Sequence, residues 1–299
     1  MAVELQQVSY TYADRSLWRH TALHKLDLHI KPGTMVGIAG ATGSGKSTLL
    51  QLFNGILKPT EGKVRVLDVT IQAGEKSPKL LGLRRRVGLV FQFPEQQMFE
   101  DTVEKDLIFG PQNFGMSPEE AKQRAAQAME DMGLPLELLQ RNPFRLSGGQ
   151  MRKAAIASVL AMDPEVLVLD EPTATLDPVS RGELITLLER LCREQGRTII
   201  IVTHRMDELL PFADSWLLLK DGAITFEGSP QALGQDPSVL ERCGLTVPQS
   251  LRYWHALASR FGLEHERPCL TAASLAARIA ALSPAGAGNS ASAREEGCR

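Results

Sequence analysis

Cysteine is scarce in this 299-residue chain, where Cys192, Cys243, Cys269 and Cys298 are the whole set. None forms a CxxC pair and none stands at metal-ligand spacing, which argues against a zinc site and for free thiols in a reducing compartment. Aromatics are scarce as well, at 5 %, so a core must rest on Leu, Val, Ile and Ala. Neither sign of charge is in excess. The 33 basic and 35 acidic residues leave a formal net charge of -2, which gives no electrostatic case for a nucleic-acid partner. No apolar run approaches the ~20 residues that cross a bilayer. Ile156–Met162 and Ile199–Val202 are far too short, and the apolar stretch 272–282 is interrupted by Arg278. The first residues lack a basic segment followed by an apolar run, so no secretory leader is expected. Work at a membrane would have to pass through another chain.

What is present suits a globular α/β chain of one large domain or two ordinary ones, with 43 % hydrophobic and 23 % charged residues. Residues 3–8 and 26–30 alternate like half-buried strands. Val36–Ala39, Val64–Leu67, Val87–Phe91, Val166–Leu169, Thr198–Val202 and Trp216–Leu219 are further strand candidates. The fully apolar ones read as central strands of a mostly parallel sheet, buried on both faces. Between about 94 and 162 the texture becomes helical. Pro118–Met132 and Gly149–Met162 are expected helices, with Ser117 as N-cap of the first. This reads as a helical subdomain inserted into the α/β core. Beyond Gly228 come helical patterns broken by Gly and Pro, and residues 283–299 read as a frayed tail.

The short apolar run Val36–Ala39 ends at Gly40, and a helical pattern begins at Lys46. Between them, Gly40, Ala41, Thr42, Gly43, Ser44, Gly45, Lys46 and Ser47 fit G-x-x-x-x-G-K-[ST]. The chemistry requires those residue types. Glycines let the backbone turn its N–H groups toward phosphate oxygens, and the helix N-terminus adds partial positive charge. Lys46 is expected to reach the β- and γ-phosphates and the Ser47 hydroxyl to bind Mg²⁺. A glycine turn that merely precedes a helix is the plain alternative. The strand upstream and the helix downstream argue against it.

A second apolar strand, Val166–Leu169, runs into Asp170 and Glu171. Asp170 suits a magnesium shell, and Glu171 suits a general base that polarises the attacking water. Many strands end in an acidic residue, so this pair gains its meaning from the phosphate loop upstream. Leu146, Ser147, Gly148, Gly149 and Gln150 spell LSGGQ, with Leu146 lying 24 residues before Asp170. With these three motifs in order, the chain resembles the ABC (ATP-binding cassette) ATPases over roughly residues 3–228.

That resemblance implies a P-loop core, an N-terminal antiparallel β subdomain and a helical subdomain. It implies ATP and Mg²⁺ as cofactors, with Thr48 beside the loop residues at the nucleotide. It implies that Ser147, Gly148, Gly149 and Gln150 present backbone amides to the γ-phosphate of ATP held by a second subunit. Gln92 matches the glutamine that senses Mg²⁺ and the attacking water. Leu176 and Asp177 match the D-loop, and His204, after Ile201–Thr203, matches the switch histidine. Tyr12 resembles the aromatic that stacks on adenine, although Tyr10 lies on the same strand face.

Finer features narrow the resemblance. The segments 90–100, 109–115, 150–157, 204–208 and 244–248 are similar to energy-coupling-factor (ECF) transporter ATPases, the second of two paralogues. This implies importers of a vitamin or transition-metal ion, built from a heterodimer of paralogous ATPases, a transmembrane T component and a substrate-binding S component. The chain would then be peripheral, on the cytoplasmic face of the membrane, with residues 1–228 as the ATPase domain and 229–282 as a helical extension for dimerisation. An ATPase of another importer, for ions, amino acids or peptides, is the alternative. One departure stands out: Thr175 occupies a position where the resemblance leads one to expect glycine.

Overall fold

The structure, a computed structural model, describes residues 1–13 and 19–282. The frayed tail expected at 283–299 lies outside the described residues.

The chain opens with β1 (Val3–Tyr12) and β2 (His20–Ile30), paired antiparallel from Val3 opposite Ile30 to Tyr12 opposite His20. Next come β3 (Met35–Gly40) and α1 (Lys46–Phe53), the strand and helix on either side of the glycine loop. A hairpin of β4 (Glu61–Val66) and β5 (Val69–Gln72) joins the first pair, giving a four-stranded antiparallel sheet of order β2-β1-β4-β5. Helix α2 (Leu81–Arg86) leads into β6 (Val87–Val90).

Three helices follow: α3 (Val103–Asn113), α4 (Pro118–Asp131) and α5 (Gly148–Leu160). Helix α4 begins where its sequence tells it to. The Ser117 hydroxyl accepts from the Glu120 N–H, Pro118 takes the first helical position, and Glu119 and Glu120 favour the positive helix end.

The chain then returns to the sheet. β7 (Val166–Asp170) is followed by α6 (Pro178–Gln195), which Asp177 caps and a left-handed Gly196 ends. β8 (Thr198–Val202), α7 (Met206–Leu209), β9 (Ser215–Lys220) and β10 (Ala223–Gly228) complete the core. Four short helices close the described chain: α8 (Pro230–Gln235), α9 (Ser238–Arg242), α10 (Gln249–Phe261) and α11 (Ala272–Leu282).

The main sheet has the order β10-β9-β3-β8-β7-β6, parallel except for the antiparallel β9–β10 edge. Its central strands are buried on both faces, as their unbroken apolar runs require. On β8, Ile199 and Ile201 face the cluster formed with the helices, while Ile200 and Val202 face the cluster shared with the antiparallel sheet. Leu167 and Leu169 on β7 divide from Val166 and Val168 in the same way. Each fully buried Ile or Leu contributes on the order of 1.5–3 kcal/mol. The sheet is therefore a shared wall between two apolar clusters, and its C-terminal strand ends carry Gly40, Asp170 and the approach to His204.

Candidate nucleotide site

After β3 the chain must turn sharply to start α1. Gly45 makes this possible with φ at +99°, and a Cβ there would stand 2.6 Å from the Ala22 carbonyl oxygen on β2. Gly45 offers no side-chain cap, and the first turn of α1 holds no acidic residue. The first N–H groups of the helix thus remain open to an external acceptor. Lys46 is buried and donates from Nζ to the carbonyls of Gly40 at 2.8 Å and Ala41 at 2.9 Å. Burial pulls its ammonium below the usual lysine value, while the charges of Glu171 and Asp170 work the other way.

The loop opens onto a cavity of about 350 Å³. Thr42, Gly43, Gly45, Lys46, Ser47 and Thr48 line one side, and Gln92, Asp170, Glu171 and His204 line the other from the ends of β6, β7 and β8. Tyr12 of β1 closes the third side, together with His20 and Ala22 of β2. The Tyr12 hydroxyl lies 3.1 Å from Thr48 Oγ1, and its ring meets Tyr10 edge to face at 4.7 Å. Tyr12 lines the cavity and Tyr10 does not.

Ser47 Oγ donates to Asp170 Oδ2 at 2.9 Å. A hydroxyl and a carboxylate side by side are hard oxygen donors of the kind that suit Mg²⁺. Among the described residues no cluster of three or more His, Cys, Asp or Glu would hold a metal unaided. A cation here would therefore complete its shell with water and phosphate oxygens, the usual arrangement for Mg²⁺.

Glu171 is the most perturbed group of the cavity. It is buried, its backbone takes φ of +50°, and its Oε1 has no hydrogen-bond partner. Burial pushes its carboxyl up to about 7, against the pull of the His204 backbone N–H and Lys46. His204 Nε2 stands 3.5 Å from Oε1. Burial first, and Lys46 second, hold the imidazole below its usual value, so it is neutral near pH 7 and the contact is no full ion pair. A carboxylate with one unused oxygen and a pKa near neutrality has what a general base needs.

The other expected residues lie elsewhere. Gly40 ends β3 beneath the loop, and Ala41 and Ser44 line the loop's opposite side, facing Glu241–Gly244. Ser147 caps α5 in a capping box, accepting from Gln150 N at 3.3 Å while Gln150 Oε1 accepts from Ser147 N at 3.1 Å. Ser147 and Gly148 are exposed, and none of Ser147, Gly148, Gly149, Gln150 or Asp177 lines the cavity. Sequence reasoning missed His20, Ala22 and Arg152. The first two come from a strand that folds back across the loop and carry no motif. Arg152 sits on the helix opened by Ser147, where a charged residue reads as a solvated one, yet it is fully buried.

The ABC transporter family profile matches residues 23–174. The energy-coupling factor transporter ATP-binding protein EcfA2 of Listeria innocua is 48 % identical over 280 residues, covering 94 % of this chain and 97 % of that protein. The protein of the same name from Bacillus cereus is 46 % identical over 271 residues, covering 91 % and 92 %. Among solved structures, cbiO1 of Clostridium perfringens, described as part of the ABC transporter complex cbiONQ, superposes with a TM-score of 0.70 at 35 % identity, over 84 % of this chain and 97 % of that one. The cassette MJ0796, dimeric and bound to ADP and phosphate, superposes with a TM-score of 0.68 at 32 % identity, over 76 % and 98 %. Fold and site together are those of a P-loop nucleotide cassette. The chain belongs to the ABC transporter family, among the energy-coupling-factor transporter ATP-binding proteins. It is an ATPase whose turnover is coupled to transport.

Proposed function

We propose that this chain drives uptake of a vitamin or a transition-metal ion from the cytoplasmic face of the membrane, as one of two paralogous ATPases bound to a T component and an S component. Among the described residues no helix is long and apolar enough to cross a membrane, so partner chains supply the passage. The cassette is residues 1–228, with a helical subdomain at about 94–162, and residues 229–282 take part in pairing the two ATPases.

The observation that carries the chemistry is the placement of Glu171 beside Lys46, Asp170 and His204 in one cavity. Mg²⁺ held by Ser47 and Asp170, with Gln92 nearby, would neutralise charge on the phosphates. Tyr12 stacks on the base, and Gly40 to Thr48 hold the phosphates. Glu171 orients the water and takes its proton, and His204 contacts the γ-phosphate. Ser147, Gly148, Gly149, Gln150 and Asp177 face the nucleotide of the partner ATPase. What supports this last step is the exposure of Ser147, Gly148 and Asp177 and the absence of all five from the chain's own cavity.

Phe93, next to Gln92, is 40 % exposed, and Phe99 is 60 % exposed and meets Phe109 edge to face at 5.0 Å. This apolar surface is proposed to receive a helix of the T component, so Phe99→Asp is expected to uncouple transport from hydrolysis. Uptake and hydrolysis that both survive the change would place the contact elsewhere. Purification of the chain from native membranes tests the assembly. A T component and a paralogous ATPase are expected to co-purify, and a pair of permeases of another importer class would overturn the reading.

A further inference from the structure

Arg152 has no part in the chemistry described so far. It lies on α5, five residues beyond its cap Ser147, and its side chain is 1 % exposed. An ionised side chain sealed from water is costly unless its donors all find acceptors. Here they do. Nε donates to the Pro172 carbonyl at 2.6 Å, and Nη1 donates to Thr175 Oγ1 at 2.6 Å and Glu95 Oε1 at 3.4 Å. Nη2 donates to the carbonyls of Gln92 at 2.7 Å and Glu171 at 2.8 Å. These contacts use the full donor set of a guanidinium. The one charged acceptor makes the longest contact, so the group works mainly as a clamp on backbone oxygens.

The clamp grips the hydrolytic residues from behind. Glu171 holds a left-handed backbone that a side chain bearing Cβ adopts only under constraint. Its N–H donates to Val202 O at 3.0 Å on one side, and Arg152 takes its carbonyl on the other. The same Nη2 fixes the carbonyl of Gln92. A lysine would offer three donors from a point in place of a planar fork.

Thr175 completes the fork. Glycine at this position would leave Nη1 without the hydroxyl it now reaches at 2.6 Å. The departure noted in the sequence is thus an acceptor aimed at a buried cation.

We propose that Arg152 is a positioning residue for hydrolysis, which sets Glu171 and Gln92 through their carbonyls, and that the Thr175 hydroxyl completes its geometry. The proposal rests on Glu171 being the general base. It is tested in the assembled transporter with Thr175→Val, which keeps the shape and removes the acceptor, with Thr175→Ser, which keeps the acceptor, and with Arg152→Lys. Each is measured for kcat and KM, alone and combined with Glu171→Gln. Thr175→Val is expected to lower kcat about tenfold, as loss of one charge-assisted hydrogen bond implies, with KM within about twofold. Thr175→Ser restores the rate, and Arg152→Lys loses at least as much as Thr175→Val. In the Glu171→Gln background each change costs much less, because the part that acts through Glu171 is already gone and only the part through Gln92 remains. A wild-type kcat in Thr175→Val overturns the proposal, even if its melting temperature falls. So does an equal loss with and without Glu171. Should Arg152→Lys fail to fold, the Val and Ser pair at position 175 decides alone. Wild-type turnover by Glu171→Gln itself would defeat the base assignment, and with it this proposal, in a way the other variants do not mimic.

Discussion

Two helices in this chain have glycine at their N-terminal ends, yet they are built in opposite ways. Helix α1 starts at an uncapped Gly45, with Lys46 turned inward onto the loop's own carbonyls. Its neighbours Tyr12, Gln92, Asp170, Glu171 and His204 arrive from four other strands or their ends and enclose a cavity. Helix α5 starts at Ser147, whose side chain and that of Gln150 satisfy each other's backbone N–H groups. Ser147 and Gly148 are exposed, and none of its first residues lines the cavity. Both ends carry the positive pole of a helix. In the proposed function the first is a site with its chemistry assembled, whereas the second is a surface that takes its ligand from the partner ATPase.

The sharpest way to break this contrast is Glu171→Gln. Loss of a general base lowers turnover about 10²–10⁴-fold, and ATP binding is expected to remain, as phosphate release and nucleotide binding in the assembled complex would show. Phosphate release near the wild-type rate would mean that the α1 cavity is not where hydrolysis is completed. Ser147→Arg probes the other helix. It is expected to disable the composite site on the partner's P-loop while this chain still takes label from azido-ATP. If this chain loses its label and the partner's site stays active, the two helix ends serve one chain after all.

The acid–base state of the cavity gives a third measure. Folding raises the Glu171 carboxyl to about 7, so the side chain is protonated and useless as a base below that pH. The rate is expected to rise with pH through about 7 and level off above it, falling about tenfold per unit well below. A profile flat from pH 5.5 to 8 would remove Glu171 from the proton transfer. The smallest effect belongs to a control. Ser117 caps α4 with the same hydrogen bond that Ser147 makes on α5, but it does not line the cavity. Ser117→Ala is expected to cost about 1 kcal/mol of stability and leave ATPase activity unchanged, read by thermal melting beside turnover.

Much of this is legible in the amino-acid sequence. Every residue of Thr198–Val202 is buried, so its strand could be read with both ends in place. The phosphate loop, Asp170–Glu171 and His204 were legible because each follows such a strand directly. Other elements hid for physical reasons. β5 and β10 have mixed, half-exposed faces and offer no apolar run. Helix α3 carries Gly110 and Pro111 inside its last turns, which break the helical pattern. Helix α6 was readable in principle from Asp177–Pro178 at its start and Gly196 at its end. His20 and Arg152 were not, because what gives them meaning is a strand crossing in one case and a buried fork of carbonyls in the other.

The shared wall between the two apolar clusters has a consequence for how such a chain can be edited. Neighbouring positions on β7 and β8 answer to different surroundings: Leu167, Leu169, Ile199 and Ile201 to the helices, Val166, Val168, Ile200 and Val202 to the antiparallel sheet. A point substitution therefore troubles one side and spares the other, and the two sides are free to drift separately. Losing or gaining a single residue within β8 would do the reverse, exchanging every assignment beyond it at once and moving the His204 side chain off the cavity. The strand is forgiving of spelling and intolerant of length.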